Sequence, residues 1–207
     1  MIFRQIKKEL ILNTLQEMYP DAHCELNYNN HYELLVAIIL SAQTTDKSVN
    51  LISKILFEKY PTWDSLSKAI KEDVVNIINP LGLASRKAIN IVETAKIIVA
   101  KYDGNIPMEI TKLKELPGIG FKTATVFLAE AFQINHFGVD THVARVSKRL
   151  GLTKEEKPEK ISCDLEEFFE GERFDKLHHQ FIFFGRYHCK AKKPDCKNCK
   201  LKEYCQF

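Results

Sequence analysis

The chain has 207 residues, 45% of them apolar and 28% charged, with a formal net charge of +3. That length suits one large domain or two small ones with a respectable core, and the composition argues against a disordered or fibrous chain. The longest apolar run, Leu34 to Leu40, falls far short of the ~20 residues that cross a bilayer. With charges throughout residues 1–15 and no targeting segment, the expected setting is cytoplasmic (nucleoid-associated in a bacterium), with no membrane partner and with thiols reduced.

No segment shows sustained period-two alternation, so the pattern predicts an all-α chain. Residues 1–15 read as an amphipathic helix with Phe3, Ile6, Leu10 and Ile11 inward. Tyr32 to Ala42, apolar nearly all round, reads as a buried central helix. Ser41-Ala42-Gln43-Thr44-Thr45-Asp46 forms a turn whose Thr45 or Asp46 caps the helix running to Tyr60, with Val49, Ile52, Ile55 and Leu56 as its stripe. Pro61 stops that helix, Thr62 caps a short one through Leu66, and another covers Glu72 to Ile78. Asn79-Pro80 breaks the chain and Leu81-Gly82-Leu83 makes a loop. Ser85 is expected to cap a long helix to Lys101, with Ile89, Val92, Ala95 and Val99 inward, stopped by Asp103-Gly104. Pro158 to Glu170 and Phe174 to Phe184 give two further helices, the second closed by Gly185. Trp63 and the Phe-rich stretch from 168 to 184 fit a helical core better than a base-stacking platform.

The most informative stretch is Leu116 to Asp140. Two glycines flanking one apolar residue in Leu116-Pro117-Gly118-Ile119-Gly120 permit a tight turn with positive φ. The amides of Gly118, Ile119 and Gly120 then face outward as a small anion site, which suits a grip on a DNA phosphate without reading sequence. Lys122 stands in the first turn of the next helix, where the dipole disfavours a cation and should lower its pKa; an amine nucleophile needs that treatment. Asp140, before the helix from Thr141 to Leu150, is placed as an N-cap that keeps a carboxylate ionised. His142 reads as a hydrogen-bonded structural histidine, and His178 and His179 as packing or surface residues.

Near the C-terminus, Cys189-x6-Cys196-x2-Cys199-x5-Cys205 puts four cysteines within 17 residues, close enough for one loop to close around one metal site. Four thiolates suit a tetrahedral zinc or a [4Fe–4S] cluster, and spacing alone leaves both open. Cys24 and Cys163 fall outside the pattern and read as small core residues. From Arg186 to Lys202 seven cations stand against Asp195 alone, a local basic patch in a chain of low net charge.

These three motifs, Leu-Pro-Gly-Ile-Gly-Phe-Lys-Thr-Ala, Val-Asp-Thr-His and the cysteine pattern, together resemble the endonuclease III family of DNA glycosylases, the iron–sulfur branch of the helix-hairpin-helix superfamily. The resemblance implies two helical lobes with a DNA-binding cleft between them. One is a six-helix block over 24–134 carrying the hairpin; the other joins 1–23 to 135–207 and holds a [4Fe–4S] cluster on Cys189, Cys196, Cys199 and Cys205. It implies a monomer acting on double-stranded DNA with damaged bases or abasic sites, releasing oxidised pyrimidines and cutting the abasic site by β-elimination. Lys122 would be the nucleophile and Asp140 its electrostatic partner, facing it across the cleft. Gln43 would fill the gap left by an extruded nucleotide, with Leu83 wedging from the other side. Lys190, Lys192 and Lys193 would meet phosphates on a loop folded by the cluster.

Two relatives fit less well. Adenine glycosylases carry a catalytic Glu where this chain has only apolar Leu34 to Leu40, and lack the lysine; thymine-mismatch glycosylases typically have Tyr at the position of Lys122. A non-catalytic DNA-binding module would make Lys122 and Asp140 accidental. One departure from the family stands out: Phe121 occupies a position that is commonly basic.

Overall fold

The computed structural model describes residues 2–207. Among them run eleven α-helices and no strand: α1 (Ile2–Met18), α2 (His31–Leu40), α3 (Asp46–Lys59), α4 (Trp63–Ser67), α5 (Lys71–Ile78), α6 (Ala84–Tyr102), α7 (Ile110–Leu113), α8 (Phe121–Phe132), α9 (Thr141–Arg149), α10 (Pro158–Phe168) and α11 (Phe174–Phe183). Short 3-10 turns at Asn79–Leu81 and Lys202–Tyr204 and a π-helical turn at Phe184–His188 complete the helical structure. The chain divides into two compact units, Glu25–Phe132, and the chain up to Cys24 together with Gln133–Phe207.

The Glu25–Phe132 unit is built on α2. Eight of its ten residues are buried, and each large aliphatic side chain taken fully from water contributes roughly 1.5–3 kcal/mol. Asn30 caps it, its Oδ1 accepting from the Glu33 amide at 2.9 Å, and α3, α6 and α8 pack around it. Trp63 is buried and stands edge-on to Tyr32, ring centroids 4.7 Å apart. Thr62 and Ser65 close a capping box at the start of α4.

Three details depart from the sequence pattern. The buried stripe of α3 is Val49, Ser53 and Leu56, whereas Ile55 is 52% exposed; a small serine on the inward face disguised the true register. On α6 the stripe is Ala88, Ile91, Val92, Ala95 and Ile98, which turns Ile89 outward. Ser85 does not cap α6. The helix starts earlier, behind Leu83 in left-handed backbone (φ 51°) with no side-chain cap, and its first bond runs from the Lys87 amide to the Leu83 carbonyl.

In the second unit, Phe137 is fully buried among Phe169, Phe174 and Phe181, with centroids 5.3–6.1 Å away, and Ile11, Leu15, Val143, Val146, Ile161 and Leu165 extend this core. The inward face of α1 is Ile11, Thr14 and Leu15. Phe3 and Ile6, expected inward, are exposed, because the first turns of α1 run past the end of the core and attach by polar groups. Arg4 and Lys8 donate there to the carbonyls of Glu167 and Glu170, both at 2.7 Å. Gly185 does not end α11 either. The chain continues through the π-helical turn, and Gly185 is buried where a Cβ would stand 2.8 Å from that of His142. Its missing side chain serves close packing against α9. Cys163 is exposed rather than a core residue, and Cys24 is half-buried. No helix among the described residues is long and apolar enough to cross a membrane.

Candidate active site and nucleic-acid interface

The hairpin between α7 and α8 departs from expectation in its backbone. Gly118 alone has positive φ, +80°; Gly120 does not. The Ile119 amide is spent on the Leu116 carbonyl (3.1 Å), and the Ile119 side chain is buried, so Ile119 anchors the turn from within. Among the described residues the amides of Gly118 and Gly120 donate to no main-chain carbonyl, leaving two of the three expected donors for an anion. Thr94 fixes the turn from α6 by donating to the Pro117 carbonyl at 3.1 Å. Lys122 is exposed in the first turn of α8, and its carbonyl accepts from the Thr125 hydroxyl at 3.0 Å.

Gln43 and Leu83 are also exposed, and both stand on left-handed backbone, at φ 56° and 51°. Hydrogen bonds tie their loops together. The Thr44 hydroxyl donates to the Leu81 carbonyl at 2.7 Å, and Lys87 Nζ donates to both, at 2.5 and 3.1 Å. Burial holds the Lys87 ammonium below the ordinary lysine range. Lys87 does not stand out in the sequence, because a lysine in a helix's first turns resembles any solvated one.

In the second unit Asp140 is half-buried and caps α9, with Oδ1 accepting the amides of His142 and Val143 at 2.8 Å each. The segment leading to it is pinned residue by residue. Asn135 bridges the Glu172 carbonyl (2.9 Å) and the Phe174 amide (2.8 Å), and the Glu166 carboxylate accepts the Phe137 amide at 2.9 Å. His142 accepts from Arg145 through Nδ1 at 3.1 Å, the structural role expected of it. His178 and His179 are buried.

The cysteine-rich C-terminus converges on one place. Cys189, Cys196, Cys199 and Cys205 line a single cavity of about 70 Å³ with Arg149, His188, Pro194 and Phe207. All six cysteines of the chain are free of disulfides. Burial foremost, then the neighbouring Cys189, Cys205 and Cys196, raises the Cys199 thiol, against an opposing backbone amide at Leu201. Four cysteines brought to one cavity, the Cys199 thiol half-buried among them, suit a cationic centre that binds thiolates.

Arg149, at the end of the helix that Asp140 caps, organises this region. It donates to the Lys190 carbonyl (2.8 Å), the Ala191 carbonyl (3.3 Å) and Cys189 Sγ (3.3 Å), and its guanidinium lies 3.8 Å from the Phe207 ring centroid. Arg145, one turn earlier, holds the Gly185 carbonyl at 2.7 Å. The four-residue spacing of these arginines behind Asp140 was the available sequence signal. Lys190, Lys192 and Lys193 are all exposed on the loop so held, whereas Lys200 is paired with Glu17 of α1.

Residues 36–171 match the family model for HhH-GPD superfamily base excision DNA repair proteins. Endonuclease III of Rickettsia felis is 41% identical over 201 residues, covering 95% of this chain and 94% of that one. Endonuclease III of Bacillus subtilis is 41% identical over 199 residues, covering 96% and 91%. A solved structure of a trapped endonuclease III–DNA covalent intermediate superposes with a TM-score of 0.91 at 41% identity, covering 98% of this chain and 95% of that one. With hairpin, capped aspartate and cysteine cavity carried on one all-helical chain, the protein belongs to the HhH-GPD superfamily and, within it, to the endonuclease III family of base-excision DNA repair glycosylases and abasic-site lyases.

Proposed function

We propose that this chain releases damaged bases, oxidised pyrimidines foremost, from double-stranded DNA and cleaves the resulting abasic site, working as a monomer through Lys122 and Asp140. A lesion whose pairing and stacking are already weakened flips out at least cost. The Lys122 amine bonds to the sugar C1′ as the glycosidic bond breaks, and the bonding pair leaves with the base, which takes up a proton. The sugar ring C1′–O4′ bond then breaks, its electron pair passing to the ring oxygen. That oxygen takes a proton from solvent and becomes a hydroxyl, and this leaves the protonated Schiff base. Removal of a C2′ proton then expels the 3′ phosphate by β-elimination, and water hydrolyses the imine to regenerate the amine.

The observation that carries this reading is Lys122, an exposed residue in the first turn of α8, directly behind a hairpin with two amides that donate to no main-chain carbonyl. Likeness to a covalently trapped endonuclease III–DNA intermediate supports it. Asp140 would stabilise positive charge developing on the sugar, and its bonds to two amides supply the orientation that role needs. Gln43 and Leu83 would fill the space vacated by the flipped nucleotide. The Gly118 and Gly120 amides, with Lys190, Lys192 and Lys193, would take phosphates. Cys189, Cys196, Cys199 and Cys205 would hold a [4Fe–4S] cluster, which supplies a rigid crosslink for the loop bearing those lysines. The test is borohydride trapping on lesion-containing duplex: Lys122→Ala should give no covalent protein–DNA product, and persistent trapping in that variant overturns the assignment.

A further inference from the structure

Lys87 is 3% exposed in the first turns of α6. The influence on its ionisation is desolvation alone; among the described residues no carboxylate balances it. A buried cation without a counter-charge is costly, and an apolar side chain of similar length fills such a site at less expense. Stability of the unit therefore does not explain why a lysine is there.

Its hydrogen bonds do. One ammonium donates to Thr44 Oγ1 and to the Leu81 carbonyl, and Thr44 Oγ1 itself donates to that same carbonyl, closing a three-membered ring of hydrogen bonds. Thr44 follows Gln43, and Leu81 lies two residues before Leu83. The ring thus joins two loops whose outermost side chains, an amide and an isobutyl group, stand exposed on strained backbone. Left-handed φ at a non-glycine residue costs about 1–3 kcal/mol and persists only where the surroundings enforce it.

We propose that Lys87 is a positioning residue for base extrusion: it clasps the Gln43 turn to the Leu83 turn, so that the two side chains enter the duplex as one rigid body. This rests on the reading of Gln43 and Leu83 as the groups that fill the vacated space. Restacking of the helix pushes back on whatever occupies that space, and a loop free to retract cannot hold a nucleotide out. Stiffness in the supporting residues therefore acts on the extrusion equilibrium and leaves the bond-making step alone.

The test uses full-length, cluster-containing protein on two substrates, a duplex with a paired oxidised pyrimidine and a single-stranded oligonucleotide with a preformed abasic site, where nothing must be extruded. Lys87→Met should reduce base release from the duplex about tenfold and single-strand cleavage by less than about twofold. Its melting temperature should hold or rise, because the uncompensated charge is gone. Lys87→Gln, which keeps N–H donors, should recover part of the loss. Adding Lys87→Met to Leu83→Ala should cost little beyond Leu83→Ala alone, the mark of residues acting through one step.

Equal losses on both substrates, no loss on either, or losses that multiply in the double variant overturn the proposal. Should Lys87→Met fail to fold, Thr44→Val cuts the same ring at nearly constant volume, and its two activities are read in the same way. If Gln43→Ala and Leu83→Ala both leave duplex base release intact, the reading of those two residues falls, and this inference with it. If they reduce base release while Lys87→Met does not, only the inference falls.

Discussion

The Oδ1 atom of Asp140 holds two amides at the start of α9, so the residue carries a structural load as well as a charge. Asparagine caps a helix about as well as aspartate, whereas alanine loses the cap at roughly 0.5–2 kcal/mol. Asp140→Asn should therefore melt within about 1 °C of the parent while losing at least ~100-fold in base release, and Asp140→Ala should lose both. Calorimetry beside single-turnover kinetics separates the two duties. An Asn variant that keeps its activity would reduce Asp140 to a cap. Asp140 was legible in the sequence because a short acidic side chain directly before a helix has few other uses. Lys87 was not: its role depends on Thr44, 43 residues away, and helical spacing alone does not tell a buried lysine from a solvated one.

At the scale of the element, the hairpin between α7 and α8 uses its two glycines differently. A Cβ on Gly118 would face left-handed backbone and also Asn90, whose Nδ2 would lie 2.6 Å away; a Cβ on Gly120 would meet nothing within 4 Å. Gly118→Ala should destabilise the protein by more than the ~1–2 kcal/mol of its φ alone. Gly120→Ala should fold normally, and its loss of duplex affinity then measures how closely a phosphate approaches that amide. Unchanged melting in Gly118→Ala, or unchanged affinity in Gly120→Ala, contradicts the respective role.

The sequence located this turn and mistook its backbone, since Pro-Gly-Ile-Gly tells where a chain bends but not which glycine bears the positive φ. The continuous apolar run of α2 was enough to find a buried helix, and register slipped where a small polar residue sits inside, as Ser53 does in α3. Ser85 has the chemistry of a cap and not the position of one. In the fold the two loop residues before Ala84 already supply the turn, and α6 is under way by that residue.

Over the whole molecule a net charge of +3 predicts weak attraction to DNA, yet on the proposed reading the charge that meets phosphates is gathered on one loop. Composition could not reveal this, because Lys200 is cancelled by Glu17 from the other end of the chain, whereas Lys190, Lys192 and Lys193 stay exposed on a segment tied to α9 by Arg149. Every lysine–phosphate pairing that is removed should flatten the dependence of log K on log salt by about 0.9. Replacing all three lysines by alanine should therefore lower the slope on undamaged duplex by about 2–3, with similar changes across sequences. The four cysteines line one cavity with Pro194 and Asp195 of the same loop, so removing the metal centre proposed for them, by oxidation and chelation, should lower the slope comparably although every lysine remains. Removing the centre from the triple-alanine variant should then change the slope little further. Equal additional losses in the parent and in the triple variant would mean that the centre supports DNA binding by a route other than this loop.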